Sequence, residues 1–269
     1  MSVDKVFYNK SSSDSLGWEP SWFGASYHDE ELVKAIKKWQ KDRGLKSDGL
    51  CGPTTYRRVW TERDSQIGNH INFCPPKKNQ SFIICNSKPI KIDWPHVVLW
   101  SDSGGFKSKP GTYYNYAGKE DRKVTMFVNH WDVCLSSESC AKVLNNRGIS
   151  VHFLIDNDGT IYQMLDTQHG AWHAGSVNEC SIGVEISNAY YTKYQSWYEK
   201  NGYGSRPVVE DAWVHGNKLE KHLGFYDVQT QALQALWKSC HERYGIPYSA
   251  PESGNDDFLT STKYEPSVY

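Results

Sequence analysis

The stretch that decides the fold is ISVHFLIDNDGTIYQM, residues 149–164. Two apolar runs, residues 149–155 and 160–164, flank the turn sequence DNDG, and this pattern predicts two strands joined by a hairpin. Further strand-sized apolar runs occur before and after it, at residues 82–85, 97–100, 124–129 and 182–187. Helical periodicity predicts helices over 136–146 and 228–244. Together these elements predict an α/β domain with a central mixed β-sheet flanked by helices.

The chain ahead of this domain has a helical pattern instead. Asp29 is a suitable N-cap for an amphipathic helix from Glu30 to about Arg43, and Pro53 suits the first position of a second, short helix. Residues 1–27 are predicted to be irregular and anchored by aromatic side chains. We expect a small all-α domain over residues 1–64, a polar linker over 65–80, the α/β domain over 81–250 and a polar, disordered tail over 251–269.

Composition excludes several classes of protein. The net charge is −1 and hydrophobic residues make up 38% of the chain, so we expect neither a nucleic-acid partner nor a membrane span. The polar N-terminus has no apolar signal core, which predicts synthesis in the cytoplasm. The seven cysteines form no CxxC pair, and we expect them to be mostly reduced.

One motif in the N-terminal part points to a binding function. An apolar helix ends near Gln40 and is followed by DGLCGPTT, residues 48–55. This spacing resembles the small helical peptidoglycan-binding domain. By that resemblance, the cell-wall-binding residues are Asp48, Gly49, Gly52 and Thr55. The residues also allow a simpler interpretation, in which the two glycines only supply turn geometry and the helix face is core.

Two strands of the α/β domain carry groups suited to amide hydrolysis. His130 ends the apolar run that starts at Val124, and Glu185 is the single acid within SIGVEI, residues 181–186. Metal-assisted hydrolysis requires an imidazole to hold the ion and a carboxylate to move a proton. Burial of Glu185 in such a strand would raise its pKa towards a range useful for a general base. Each residue could instead have a purely structural role.

Four segments in this order resemble the zinc amidase family that includes cell-wall recycling enzymes, phage lysins and animal peptidoglycan-recognition proteins. They are the His130 strand, the HFLIDNDGTIYQ hairpin, the WHAG loop at residues 172–175 and the IGVE strand. The resemblance implies an N-acetylmuramoyl-L-alanine amidase with Zn²⁺ as cofactor, His130 as first metal ligand and Glu185 as catalytic acid/base. It implies that His152, Trp172 and His173 contact substrate in the cleft, although a packing role for either histidine remains open. His169 and His215 are expected at the surface.

The end of the chain departs from the family pattern, which places a second histidine, a lysine and an aspartate or cysteine after the last helix. No histidine follows His241 and no cysteine follows Cys240, although Lys263 is present. Three explanations remain open. The missing ligands could lie on a second polypeptide, the protein could be a catalytically incomplete amidase that only binds cell-wall material, or His152 or His173 could form a substitute site.

Three functions are therefore compared. The leading one is an endolysin-like peptidoglycan hydrolase that acts at the bacterial cell wall, with muropeptides as partners and a bacteriophage source suggested by its architecture. The second is a non-enzymatic peptidoglycan-binding protein. The third is a cysteine peptidase that uses Cys134 or Cys180, which no cysteine–histidine spacing in the sequence supports.

Overall fold

The computed structural model describes residues 3–66, 80–214 and 217–248. The chain divides into two units, Met1–Gly68 and Asn69–Tyr269. The division falls within the predicted linker, but residues 67–79 of that linker and the predicted tail at 251–269 lie outside the described residues, as does His215. Within the described ranges, no helix is long and apolar enough to cross a bilayer.

Helices form the first unit: α1 (Lys5–Leu16), α2 (Glu30–Lys41) and α3 (Pro53–Asp64), with a short 3₁₀ helix at Pro20–Phe23. The predicted starts of α2 and α3 are present. The Asp29 carboxylate accepts a hydrogen bond from the Leu32 N–H at the start of α2, and α3 begins at Pro53. These caps satisfy or remove amide groups that would otherwise have no partner in the first turn.

Helix α1 contradicts the prediction that residues 1–27 are irregular. Its buried side chains are Asn9 and Ser13 rather than apolar residues, so no hydrophobic stripe marks it in the sequence. The Asn9 amide donates to the Gly49 carbonyl at 2.9 Å and its oxygen accepts from the Cys51 N–H at 2.9 Å. The helix therefore docks on the loop after α2 through hydrogen bonds.

The second unit contains thirteen strands in its described part. They are β1 (Ser81–Cys85), β2 (Lys88–Ile92), β3 (Val97–Leu99), β4 (Tyr113–Tyr114), β5 (Met126–Trp131), β6 (Phe153–Ile155), β7 (Ile161–Gln163), β8 (Gly170–Ala171), β9 (Ser181–Ile186), β10 (Val208–Val209), β11 (Trp213–Val214), β12 (Asn217–Lys218) and β13 (His222–Leu223). Its helices are α4 (Ser137–Arg147), α5 (Gln195–Lys200) and α6 (Asp227–Tyr244).

Five of these strands form the predicted mixed sheet, in the order β3–β7–β6–β9–β5. Strands β5, β9 and β6 are mutually parallel, and β3 is parallel to β7. The antiparallel pair β6–β7 is the hairpin predicted from the DNDG turn. Gly159 of this turn has a φ of +79°, a conformation that glycine adopts without steric cost. The remaining strands form two-stranded ribbons.

One face of the sheet carries the hydrophobic core. Phe153 and Ile155 of β6 and Ile182, Val184 and Ile186 of β9 pack with Ala232, Leu236 and Cys240 of α6. Side chains alternate between the two faces of a strand. Ser181, Gly183 and Glu185 therefore lie on the opposite face of β9, away from α6. Helix α4 contacts β6 and β9.

A buried arginine organises the segment between β9 and α6. Arg206 is 2% exposed, and its guanidinium lies 4.2 Å and 4.3 Å from the ring centroids of Tyr198 and Tyr226. It donates hydrogen bonds to the Ser187 and Gly224 carbonyls. The two rings and the carbonyl oxygens surround a buried charge, and the segment also contributes Ala189, Trp197 and Leu223 to a second buried apolar cluster.

The six cysteines of the described ranges form no disulfide with one another in the structure; they are Cys51, Cys85, Cys134, Cys140, Cys180 and Cys240. Cys74 lies outside those ranges.

Candidate active site

His130 and Glu185 lie side by side on the sheet. They are direct partners in the parallel pair β5–β9, where neighbouring strands are about 4.8 Å apart. Paired residues of neighbouring strands project to the same face, so both side chains lie on the face opposite α6. Both residues are partly exposed. The structure thus brings together the imidazole and the carboxylate that were predicted to share one site.

His173 reaches the same face from the loop after β8. Its Nδ1 is 2.9 Å from His130 Nε2, and the two rings meet edge to face with centroids 5.1 Å apart. The loop is held by the Asn178 side chain, which accepts the backbone N–H groups of His173 and Ala174 at 2.9 Å and 2.7 Å. A residue from the WHAG loop is therefore in direct contact with the predicted metal ligand.

Two residues of β9 support the His173 ring, and neither was predicted. The ring lies over Gly183, where a Cβ atom would be only 2.5 Å from Nδ1. Ser181 Oγ lies 3.0 Å from His173 Nε2. The sequence holds a signal for both, because Ser181, Gly183 and Glu185 recur with the period of two that places side chains on one face of a strand.

His173 is a neutral ring at physiological pH. Burial, together with the nearby His130 ring and Arg122 guanidinium, lowers the pKa of His173 from 6.5 to about 3. Desolvation disfavours the charged form, and positive neighbours disfavour it further. A neutral imidazole has one donor and one acceptor nitrogen, so His173 can exchange a single hydrogen bond with His130.

His152 is in a different environment from His173. It is fully buried; its Nδ1 accepts from the Gly183 N–H at 3.1 Å, and its Nε2 lies 2.9 Å from the His169 carbonyl oxygen. Burial and the Arg122 charge hold the pKa of His152 well below 6.5. Both ring nitrogens serve to join β9 to the loop at His169, and the buried ring offers no surface to a substrate. The contact predicted for His152 would require the ring to be uncovered.

Trp172 and His169 lie directly after and directly before β8 in the chain. Trp172 is half-buried; its backbone N–H donates to Ser150 Oγ at 2.9 Å, and its ring packs edge-on against Tyr114 with centroids 5.7 Å apart. Its role in substrate binding stays a prediction. His169 was expected at the surface, but it is half-buried, with its ring 5.0 Å from Tyr113. The β4–β8 ribbon, which the sequence did not indicate, covers it.

Arg122 is a buried cation next to the site that sequence reasoning missed. It is 8% exposed and donates to the carbonyl oxygens of Thr167, Glu179 and Ser181 at 2.9–3.0 Å. Burial lowers its pKa to about 10, so the guanidinium remains charged at neutral pH. It ties the start of β9 to the loop before β8.

The described residues contain one group of three side chains close enough to bind a metal ion, and it does not include His130. These are Asp132, Cys134 and Cys140, all buried. The Asp132 carboxylate accepts from the N–H groups of Cys134 and Asn188 and from the Ser187 hydroxyl. Burial raises the pKa of Asp132 to about 7 and that of Cys140 well above 9.0. These contacts are those of a buried turn, in which the Cys140 thiol is protonated.

In the first unit, the predicted cell-wall-binding motif forms an internal network around Gln40. The Gln40 amide nitrogen lies within 3.1 Å of Asp48 Oδ1, the Leu50 carbonyl and Thr55 Oγ1, and its oxygen accepts from the Gly49 N–H at 2.8 Å. Gly49 has a φ of +78° and a Cβ there would meet Val33. Gly52 is the N-cap of α3. These contacts agree with the simpler interpretation of the motif as turn geometry, and binding by its residues stays a prediction.

Comparison with known families gives two matches. A sequence model of the N-acetylmuramoyl-L-alanine amidases matches residues 120–266, more than half of the 269-residue chain. A second, of a putative peptidoglycan-binding domain, matches residues 17–59. No curated protein sequence matches the chain. The comparisons give no support to a second polypeptide that supplies metal ligands.

Solved structures to which the chain is similar include amidases and a peptidoglycan recognition protein. Amidase AmiD from E. coli, solved with anhydro-N-acetylmuramic acid-L-Ala-D-gamma-Glu-L-Lys, is 23% identical over 54% of this chain and 54% of its own, with a TM-score of 0.34. Endolysin LysCS from Clostridium intestinale is 18% identical over 61% and 90%, with a TM-score of 0.35. Drosophila peptidoglycan recognition protein SA is 20% identical over 58% and 77%, with a TM-score of 0.36. These similarities are weak, so the family assignment rests on the match over residues 120–266.

Proposed function

The chain belongs to the N-acetylmuramoyl-L-alanine amidase family, and from this premise we propose that it is a peptidoglycan hydrolase that cleaves the amide between N-acetylmuramic acid and L-alanine. The observation that supports the proposal most directly is the pairing of His130 with Glu185 on one face of the sheet. Had the two side chains projected to opposite faces, they could not have acted on one bond.

In this proposal Glu185 is the general base and acid. Its carboxylate takes a proton from the attacking water and returns it to the amine of L-alanine as that group leaves. The transfer requires a position on the same side of the sheet as His130, which the β5–β9 register provides. Trp172, the residue before His173, is proposed to pack against the sugar or peptide.

We propose Zn²⁺ as the cofactor, with His130 as one ligand. When bound, such an ion polarises the scissile carbonyl and acidifies water. The fit to this chain is partial. The His130 imidazole is suited to ligation, but a catalytic zinc generally has three protein ligands, and the described ranges provide no group of three that includes His130.

A Glu185→Gln variant tests the role of the carboxylate. We expect release of new L-alanine amino termini from purified sacculi to fall by at least about 100-fold, the contribution of a general acid/base, while sedimentation with sacculi is unchanged. Glu138→Gln is the matched control, because Glu138 is a half-exposed acid on α4 that pairs with Lys142. Full turnover by the Glu185→Gln protein would remove this residue from the mechanism.

A catalytically incomplete peptidoglycan-binding protein is the second candidate. The observation that favours it is the lack of a three-ligand group around His130 among the described residues. Metal analysis separates the two functions. Near-stoichiometric zinc together with amide hydrolysis supports the enzyme, whereas metal-free protein that sediments with sacculi and releases no amino termini supports the binding protein.

The N-terminal unit is proposed to dock the enzyme on peptidoglycan, since residues 17–59 match a binding-domain family. We further propose endolysin-like action at the cell wall, with lysis of the host cell late in a phage cycle. Lysis of a bacterial suspension by added protein, measured as loss of turbidity, tests this part of the proposal. No loss of turbidity despite hydrolysis of isolated sacculi would contradict it.

A further inference from the structure

A hydroxyl and two imidazoles form a chain of hydrogen bonds that ends at His130. Ser181 Oγ lies 2.7 Å from the Val177 carbonyl oxygen and 3.0 Å from His173 Nε2. His173 Nδ1 in turn lies 2.9 Å from His130 Nε2. Ser181 is fully buried. The direction of each hydrogen bond follows from the one before it.

The first contact determines the position of the serine hydrogen. A carbonyl oxygen only accepts, and a serine hydroxyl has one hydrogen, so Ser181 donates to Val177. His173 Nε2 must then donate to Ser181 Oγ. Because a neutral imidazole has a single N–H, His173 Nδ1 is an acceptor and His130 Nε2 donates to it.

We infer that Ser181 and His173 are positioning residues that hold His130 as its Nε2–H tautomer and leave Nδ1 as the nitrogen with the lone pair. This inference rests on the proposed role of His130 as a metal ligand. A metal ion binds the imidazole nitrogen that has no hydrogen, and the other nitrogen is commonly fixed by a hydrogen bond to a neighbouring group. Here that group is another histidine, whose own tautomer is set by a serine.

The structure also explains why this arrangement needs the SIG sequence at the start of β9. Ser181 and Gly183 lie on the same strand face, one bonded to the His173 ring and the other leaving space for it. A side chain at 183 would occupy the position of the ring. The strand that presents Glu185 therefore also determines which nitrogen His130 offers.

Nuclear magnetic resonance of the full-length, metal-free protein tests the inference, because ¹⁵N shifts distinguish protonated from unprotonated ring nitrogens. We expect the Nε2–H form for both His130 and His173. In the Ser181→Ala protein, His173 Nε2 loses the oxygen to which it donates. We therefore expect the His130 and His173 rings each to become a mixture of the two neutral tautomers. Ser181→Thr, which keeps the hydroxyl, should restore the wild-type pattern.

Ser150→Ala is the matched control. Ser150 is as buried as Ser181, donates to the Thr112 carbonyl at 2.7 Å and accepts from the Trp172 backbone N–H. It makes no hydrogen bond to His130 or His173. Its removal should leave the His130 and His173 tautomers unchanged. An Nδ1–H form of His130 in the wild type, or a Ser181→Ala protein with unchanged tautomers, would overturn the inference.

Zinc affinity, measured by competition with a chelating dye, gives a second readout. Loss of a group that orients a metal ligand commonly costs about 10–100-fold in affinity; we expect a loss of about 10-fold for Ser181→Ala and little change for Ser181→Thr and Ser150→Ala. A wild-type protein that binds no zinc would contradict the ligand role of His130. The tautomer measurement requires neither metal nor hydrolysis, so failure of the proposed amidase activity is distinguishable from failure of this inference.

Discussion

Replacement of Gly183 by alanine would test whether the position of His173 depends on the space that glycine leaves. An alanine Cβ would lie 2.5 Å from His173 Nδ1, 2.6 Å from Cε1 and 2.8 Å from Cγ. Ordinary van der Waals contact begins at 3.4 Å, so the ring must retreat by about 0.9 Å, the difference between 3.4 and 2.5 Å. No other group lies as close to this Cβ position.

Such a retreat breaks the two hydrogen bonds of the His173 ring, which span 2.9 Å to His130 and 3.0 Å to Ser181. Each lost bond costs about 1 kcal/mol, and the strain of an overpacked core adds about 1–3 kcal/mol. The free energy of unfolding should therefore fall by about 3–5 kcal/mol, a large part of the roughly 5–15 kcal/mol of a typical domain.

Urea unfolding followed by tryptophan fluorescence measures this loss. Gly224→Ala is the control, since its Cβ would approach Val209 no closer than 3.2 Å and should cost less than about 1 kcal/mol. In a His173→Ala background the ring is gone, so Gly183→Ala should cost little. The reasoning would be refuted if Gly183→Ala unfolded at the same urea concentration as the wild type. It would also be refuted if Gly183→Ala lost as much stability in the His173→Ala background as in the wild type.

Two further predictions concern pH and the first unit. The pKa of His152 in the folded protein lies well below its ordinary 6.5, so the native state binds fewer protons than the unfolded chain. The contribution of neutral His152 to the free energy of unfolding is therefore complete above pH 6.5. It is lost as the pH falls, by up to about 1.4 kcal/mol per pH unit. Urea unfolding across this range should show a flatter slope for His152→Gln, and an identical slope would contradict the prediction. Asp48→Ala removes the carboxylate that accepts hydrogen bonds from Gln40 and Leu50 and should destabilise the first unit by about 1–3 kcal/mol. Binding of the folded variant to sacculi should be unchanged. A variant that keeps its stability and loses binding would instead indicate that Asp48 contacts the cell wall.

The main sheet and its helices were predictable because their apolar residues repeat with the period of a strand or a helix. Helix α1 was not, since its buried face is Asn9 and Ser13 and its contacts are hydrogen bonds to a distant loop. The predicted strand at 149–155 is shorter in the structure, Phe153–Ile155. The β4–β8 ribbon joins segments far apart in the chain, and no local pattern marks such a pairing.

The candidate site divides in the same way. His130 and Glu185 follow from the strands that carry them, because the end of one apolar run and the single acid of another are visible in the sequence. The burial of His152 was not predictable. Besides the Arg122 guanidinium, its partners are a backbone N–H of β9 and the carbonyl of His169. Backbone partners leave no trace in residue type, and only the folded chain reveals them.

The network around Gln40 affects how this module could be transplanted. A designer who moved only residues 48–55 into another helical scaffold would carry over the turn but leave behind the amide that holds it together, because Gln40 belongs to α2. The Asn9 side chain of α1 bonds to the same loop. The smallest transferable piece is therefore the whole three-helix unit, and a peptide of the loop alone would have no reason to keep its shape in water.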